Sequence, residues 1–106
     1  MSFDPSRLDR ILHGPARLAI ASVLASRAEA SFTDLRELLG LTDGNLSVHL
    51  RALQDAGYVV VEKSFVDRRP RTTVRLSKKG REALGRHVDA LEDIVRAARG
   101  NPPRTR

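Results

Sequence analysis

The sequence predicts a small, mainly helical α+β domain with one β-hairpin, and three observations carry that expectation. Leu46, Leu50 and Leu53 recur at i, i+4 and i+7, so they share one face of a helix. Past Gly57 comes YVVVEKSF, a β-branched stretch suited to a strand. Near the C-terminus, Leu84, Val88, Leu91, Val95 and Ala98 fall at alternating steps of four and three, the spacing of a heptad seam on a long helix. A chain of 106 residues has material for one modest core, so residues 1–100 are read as a single domain with its centre over about 15–80.

In chain order, Phe3, Leu8, Ile11 and Leu12 give a short amphipathic helix over residues 4–13, with Asp4 or Ser6 as its cap and Pro5 in its first turn. Gly14 breaks it, and Pro15 starts a second helix running to about residue 27. Leu18, Ile20, Ala21, Val23 and Leu24 make that helix apolar over much of its surface, as a central core helix must be. Residues 28–31 read as a loop and Phe32 as an inward anchor. Thr33 or Asp34 then caps a third helix over 34–39. Gly40 supplies left-handed C-cap geometry, Leu41 and Thr42 complete a tight turn, and Thr42 caps a fourth helix over 42–56. Two short helices joined by such a turn make a helix-turn-helix, the second being the candidate recognition helix.

A strand is expected over 58–65 and a second over 72–76, where Thr73 and Arg75 alternate with Val74 and Leu76. Between them Asp67, Arg68, Arg69, Pro70 and Arg71 form an exposed tip. A hairpin placed directly after a helix-turn-helix is a wing, here residues 66–72. Phe32, Tyr58 and Phe65 take core positions, which leaves no aromatic platform for stacking single-stranded RNA. Ser77 caps the last helix, 78–98. Its seam, with His87 and Ile94 alongside, comes after the compact domain is complete and so calls for a partner. Residues 101–106 read as a disordered tail.

The face of the recognition helix opposite its leucines carries Gly44, Val48, Arg51 and Asp55, flanked by Ser47, Asn45 and Ala52. An ordinary surface helix is rich in Glu, Lys and Gln, whereas the first two turns here are small, polar and nearly uncharged. These side chains suit the major groove of duplex DNA: Arg reads guanine, Asn reads adenine, Ser serves either, and an outward Val meets a thymine methyl. His49 lies about 60° from the centre of the leucine face, a packing or capping position that also allows a phosphate contact. Asp55 would repel phosphates, so the helix is expected to enter by its N-terminal half.

The formal charge is +6, and all of the excess sits in one segment. Lys63, Arg68, Arg69, Arg71, Arg75, Lys78, Lys79 and Arg81 face one acid, Asp67, while the remaining sequence holds eleven basic and twelve acidic groups. That is the footprint of a polyanion-binding surface. The competing reading is a protein-interaction module whose basic wing meets an acidic partner; larger apolar groups than Gly44, Asn45 and Ser47 would be expected on its docking helix.

Other classes are excluded on composition and pattern. The absence of cysteine removes disulfides, thiolate metal sites and cysteine catalysis. No nucleophile, base and orienter recur together, and no glycine-rich phosphate loop or paired carboxylates are present, so no catalytic residue, metal or cofactor is expected. His13 and His87 read as helix-surface or interface residues whose spacing fits no single-helix metal motif. No apolar run approaches a membrane span, and MSFDPSRLDR lacks the order of a signal peptide, so the expected location is cytoplasmic.

The ordered set Leu-Gly-Leu-Thr, Asn-Leu-Ser-x-His-Leu-x-x-Leu, Ala-Gly-Tyr-Val, Arg-Pro-Arg-Thr-Thr and Leu-Ser-x-x-Gly-Arg, over residues 38–84, resembles the winged helix-turn-helix of small MarR/ArsR-like transcriptional regulators. It is most similar to the compact group called winged helix DNA-binding domain, and ILHGPARLAI at 11–20 is similar to that group's first core helix. The resemblance implies that Thr42, Asp43, Asn45, Ser47, Val48 and Arg51 face the major groove, with His49 beside them. It also implies that Arg68, Arg69 and Arg71, supported by Lys63, Thr72 and Thr73, set the wing on the backbone or minor groove. Homodimers built through the terminal helices are implied as well, here through Leu8, Ile11 and Leu12 and through Leu84, Val88, Leu91, Ile94 and Val95. The chain departs from the metal-sensing branch in lacking cysteine. It also lacks the extra helices that form a ligand pocket in larger relatives, and nothing in the sequence assigns a small-molecule effector.

Overall fold

The computed structural model describes residues 4–101 and arranges them as four α-helices around a three-stranded antiparallel sheet. Helix α1, Pro15–Ala25, is entered at its proline and buries Ile20, Ala21 and Leu24 completely. It stops two residues short of the expected end, where the Ser26 amide bonds back to Val23 and the Arg81 guanidinium donates to the Ala25 carbonyl at 3.3 Å. Strand β1 is the pair Ala30–Ser31, and helix α2, Phe32–Leu39, follows at once. Its cap is Ser31 rather than Thr33 or Asp34, the hydroxyl accepting the Asp34 amide at 3.0 Å. Gly40, at φ 64°, closes α2 in the left-handed region, and Thr42 caps helix α3, Asp43–Asp55, by accepting the Asn45 amide at 3.1 Å.

Strands β2, Val59–Val66, and β3, Arg69–Leu76, form the hairpin, and helix α4, Lys78–Ala98, completes the chain. Spatial order in the sheet is β1, β3, β2, with Ala30 opposite Val74 and Ser31 opposite Thr73. This third strand was expected as loop, because two residues are too few to show a period of two. The hairpin also differs from expectation. Its turn is only Asp67 and Arg68, at φ 51° and 67°, the two positive-φ residues of a type I′ turn, so Arg69, Pro70 and Arg71 belong to the ladder. The pair flanking a two-residue turn exchanges hydrogen bonds and the next pair does not. The missing N–H of Pro70, opposite Phe65, therefore falls on the outer edge, where proline is tolerated.

The core gathers Leu12, Ile20, Leu24, Leu35, Leu46, Leu53, Val59 and Val74 between α1, α2, α3 and the sheet. The expected helix over 4–13 is replaced by one 3₁₀ turn, Pro5–Arg7, followed by a bend. Asp9 is the reason. One of its carboxylate oxygens accepts the Ile11 and Leu12 amides at 2.8 and 3.1 Å, and the other accepts the Tyr58 hydroxyl. Burial and that bond push the Tyr58 hydroxyl pKa up to about 12. The bend drives Leu12 wholly into the domain's own core, with Ile11 packed against it.

The inner face of α4 is Gly80, Ala83, Leu84, His87 and Ala90. A Cβ at Gly80 would overlap the carbonyl oxygen of Tyr58, so this helix meets the start of β2 backbone to backbone. His87 is completely buried rather than a surface or interface residue. Its Nδ1 accepts the Asp9 amide at 2.9 Å, which leaves the proton on Nε2, and that nitrogen finds no acceptor among the described residues. Burial, reinforced by the ring of His13 at 5.9 Å, holds the His87 pKa below its ordinary value, against the opposing charge of Asp9. Arg7 and Asp93 join at 2.9 Å and fasten the N-terminal segment further along the same helix. Phe3 and the tail residues 102–106 lie outside the described residues.

Candidate nucleic-acid interface

Two elements meet at the site: the outward face of α3 and the hairpin that leaves its C-terminal end. Burying Leu46, Leu50 and Leu53 turns the opposite side of α3 to solvent, so Thr42, Asp43, Gly44, Asn45, Ser47, Val48 and Arg51 are all exposed. Val48, at 65% exposure, is a branched apolar side chain on a free surface. His49 is the exception among the expected contacts. It is half-buried, and its Nδ1 accepts from Arg17 of α1 at 3.3 Å, so it ties α3 to the core helix. Asp43, the acid at the leading end of α3, is bonded by Arg36 at 2.7 Å. The bond raises the guanidinium pKa further above its ordinary value and places a cation beside the one carboxylate that would meet a phosphate first.

Between α3 and the hairpin lies a cleft of about 620 Å³, whose walls include Ser47, Leu50 and Arg51 on the helix and Val61, Lys63 and Thr72 on the strands. Register sorts the rest of the wing. Val59 pairs with Leu76, Val61 with Val74, Lys63 with Thr72 and Phe65 with Pro70, so these eight side chains share the face turned toward α3. Glu62, Ser64 and Val66 lie on the other face with Thr73, Arg71 and Arg69. Lys63 and Thr72 thus open on the cleft, while Thr73, between Ser31 and Glu62, is in the body of the sheet. Arg75 is engaged by Glu62 at 3.4 Å, so the remaining exposed cations of the wing are Lys63 on the cleft and Arg68, Arg69 and Arg71 near the tip. Arg68 holds a positive φ that glycine would adopt at less cost.

Phe65 departs from its expected place. The alternation of Val59, Val61, Lys63 and Phe65 is as the sequence suggested, but the strand outruns the core, and Phe65 stands 76% exposed. Of the terminal residues, Leu12 and Leu84 lie in the domain's own core, Ile11 is half-buried against it, and Leu8 is half-buried. Val88, Leu91 and Val95 instead border a shallow apolar groove of about 360 Å³ on the outer side of α4, with Ile94 half-buried nearby. Among the described residues no group of three or more His, Asp or Glu is placed to hold a metal ion, and no helix is long and apolar enough to cross a membrane.

Comparison with known proteins agrees with this geometry. The family model described as winged helix DNA-binding domain matches residues 16–95. An uncharacterized protein of Methanocaldococcus jannaschii is 34% identical over 79 residues, 74% of this chain and 86% of its own. The structure of a transcriptional regulator homologue from Pyrococcus horikoshii OT3 superposes with a TM-score of 0.80 at 36% identity, covering 85% of this chain and 89% of that one. A MarR-like transcriptional regulator from Thermotoga maritima superposes with a TM-score of 0.58 at 25% identity, over 82% of this chain and 61% of that one.

Proposed function

The chain belongs to the winged helix DNA-binding domain family, and from that premise we propose that it is a transcriptional regulator that binds a pseudo-palindromic duplex site as a homodimer. One observation carries the reading: the small, exposed face of α3 and the exposed Lys63 of the hairpin stand on the two sides of one open cleft, with the further cations Arg68, Arg69 and Arg71 beyond it near the wing tip. Thr42, Asn45, Ser47, Val48 and Arg51 enter the major groove, with Arg51 as the guanine reader. Arg68, Arg69 and Arg71 hold the flanking backbone or minor groove, where three cations at the tip give affinity without sequence preference. Asp43, neutralised by Arg36, positions the leading end of α3.

The dimer is assigned to the outer side of α4. Val88 is 37% exposed and Val95 47%, and with Leu91 they form an apolar stripe on a helix whose inner face is already filled. Two chains joined there present recognition helices to successive major grooves, about 34 Å apart along the duplex. The N-terminal residues Ile11 and Leu12 serve the monomer's own packing in this arrangement, and Leu8 is half-buried.

The test is binding to mixed-sequence duplex DNA over a salt series, with selection of preferred sites on the same material. A steep fall of affinity with salt and a two-fold symmetric selected site support the proposal; no duplex binding at low salt overturns it. Leu91→Asp should give monomers by sedimentation that bind the selected site far more weakly. A persistent dimer would place the interface elsewhere.

A further inference from the structure

Phe65 and Pro70 are an apolar pair, directly opposed across the wing, at the place where an all-cationic tip would suffice for holding phosphates. Phe65 is 76% exposed, more than any other large hydrophobic residue of the core-facing row, and Val66 beside it is 49% exposed. Both members of the pair lie on the face that carries Lys63 and Thr72, two residues further out along each strand. At about 3.4 Å per residue the ring stands roughly 7 Å beyond the cleft, on the side toward which Arg51 also points. Lys63 lies two residues back on the same face and Arg68 sits in the turn, while Arg69 and Arg71 stand on the opposite face of the same ladder. An exposed phenylalanine at a tip with cations before it, at its turn and behind it is complementary to a surface that is anionic at its rim and apolar within. The minor groove, bordered by phosphates and floored by base edges, is such a surface.

We propose that Phe65, backed by Pro70, is a wedge that presses into the minor groove beside each half-site and opens a base step there. The inference rests on the duplex-binding reading and adds a specificity determinant that reads deformability. Opening a step is cheapest at pyrimidine–purine steps such as TA and CA/TG, so the wedge selects those sequences without hydrogen bonding to any base. It also bends the duplex toward the major groove, which brings more of the flanking backbone against the wing arginines. Type I′ geometry at Asp67 and Arg68 keeps the two strands closely paired up to the tip and sets Phe65 directly opposite Pro70 on one face.

The experiment compares the wild-type protein, Phe65→Ala and Phe65→Leu on a library randomised under the wing and on the selected duplex, with bending read from end-to-end energy transfer. The wild type should select a TA or CA/TG step under the wing and bend the duplex. Phe65→Ala should bind the selected site roughly tenfold more weakly and lose both step preference and bend. Its salt slope should be unchanged, because no charge is removed. Phe65→Leu, still an apolar wedge, should recover most of the affinity. Since Phe65 lies outside the core, both variants should melt with the wild type. Wild-type affinity, step preference and bend in Phe65→Ala would overturn the wedge while leaving duplex binding intact. A wild-type protein with no affinity for duplex DNA would overturn both. A Phe65→Ala protein that changes its sedimentation but not its DNA binding would assign the ring to a contact between copies and overturn the wedge as well.

Discussion

The outer face of α3 and the inner face of α4 are both built from small residues, for opposite reasons. On α3 the row Gly44, Asn45, Ser47 is exposed, and its side chains have no partner in the core. On α4 the row Gly80, Ala83, Ala90 is buried against the chain's own backbone and the N-terminal segment. Small side chains mean close approach in both places; what differs is whether the approaching surface is already present. Burial alone separates the two cases, and burial is what a single sequence does not display. The heptad seam therefore masks the inner face of α4 in the sequence, while the outer face of α3 is visible there because a helix side with nothing to pack against has no other reason to avoid large charged residues.

Gly80→Ala tests the buried face most directly. The added Cβ meets the Tyr58 carbonyl, a backbone atom that cannot rotate aside, and the Ser77 amide bonds to that same oxygen at 2.9 Å. A loss of about 3 kcal/mol or more is expected, from overpacking a site with no flexible neighbour. Urea titration should show a lower midpoint at unchanged slope. A stability within about 0.5 kcal/mol of wild type, the range of ordinary surface changes, would show that α4 can slide and that the close approach is not obligatory.

On α3 the matching change is Arg51→Ala, which should leave melting unaltered because the side chain is exposed. Its cost should appear in binding, about 1 to 3 kcal/mol on the selected site with relaxed preference at one base pair. Arg71→Ala, on the wing, should weaken all sequences alike and lower the salt slope by about one unit. Equal losses for Arg51→Ala on random and selected duplex would assign it to the phosphates too.

Much of this was legible in advance where a local signal existed. Thr42 and Gly40 framed α3 through cap chemistry, the three leucines set its inner face, and Ser77 marked the start of α4, whose cap accepts the Gly80 amide at 2.9 Å. What failed was non-local. The 4–13 helix had an acceptable amphipathic pattern, but Asp9 gains three bonds, two to nearby amides and one to Tyr58 49 residues away, and the bend wins. Phe65 had the correct parity and the wrong depth, since alternation gives a face and not the distance to the end of the core. His87 sat beside a seam on a helical wheel, yet Asp9 and His13 of the N-terminal segment pack against it. In each case the deciding partner lay far away in sequence.

His87 offers a test of the buried side alone. Its pKa is lowered in the folded protein by burial, so below its ordinary value of 6.5 the unfolded chain takes up a proton that the folded one refuses. Stability should therefore be complete above pH 6.5 and decline as pH falls below it, before the carboxylates titrate. The groups facing the ring are Asp9, which favours the charged form, and His13, which opposes it. His87→Gln keeps an acceptor for the Asp9 amide without a titrating ring, and denaturant titrations between pH 7 and about pH 5 should lose their slope. A wild-type protein equally stable across that interval would mean that His87 is protonated in place. DNA affinity, once corrected for unfolded protein, should not follow this titration, because His87 is buried on α4 against Asp9 and His13 and away from the exposed groups of the interface.

The smallest effect is expected at the exposed face. Gly44 lies in the first turn of α3, and a Cβ there meets nothing within 4 Å of the chain itself. Gly44→Ala should stabilise the fold by roughly 0.5 kcal/mol, since alanine removes conformational freedom from the unfolded chain and favours the helix. If the open space is reserved for a groove, the same methyl should weaken duplex binding, so stability and affinity move in opposite directions. Gly80→Ala lowers both together, because there the approaching surface is the protein's own. A Gly44→Ala protein that is more stable and binds undiminished would mean that the leading turn of α3 stays clear of the DNA, and would shift the contact toward Ser47 and Arg51.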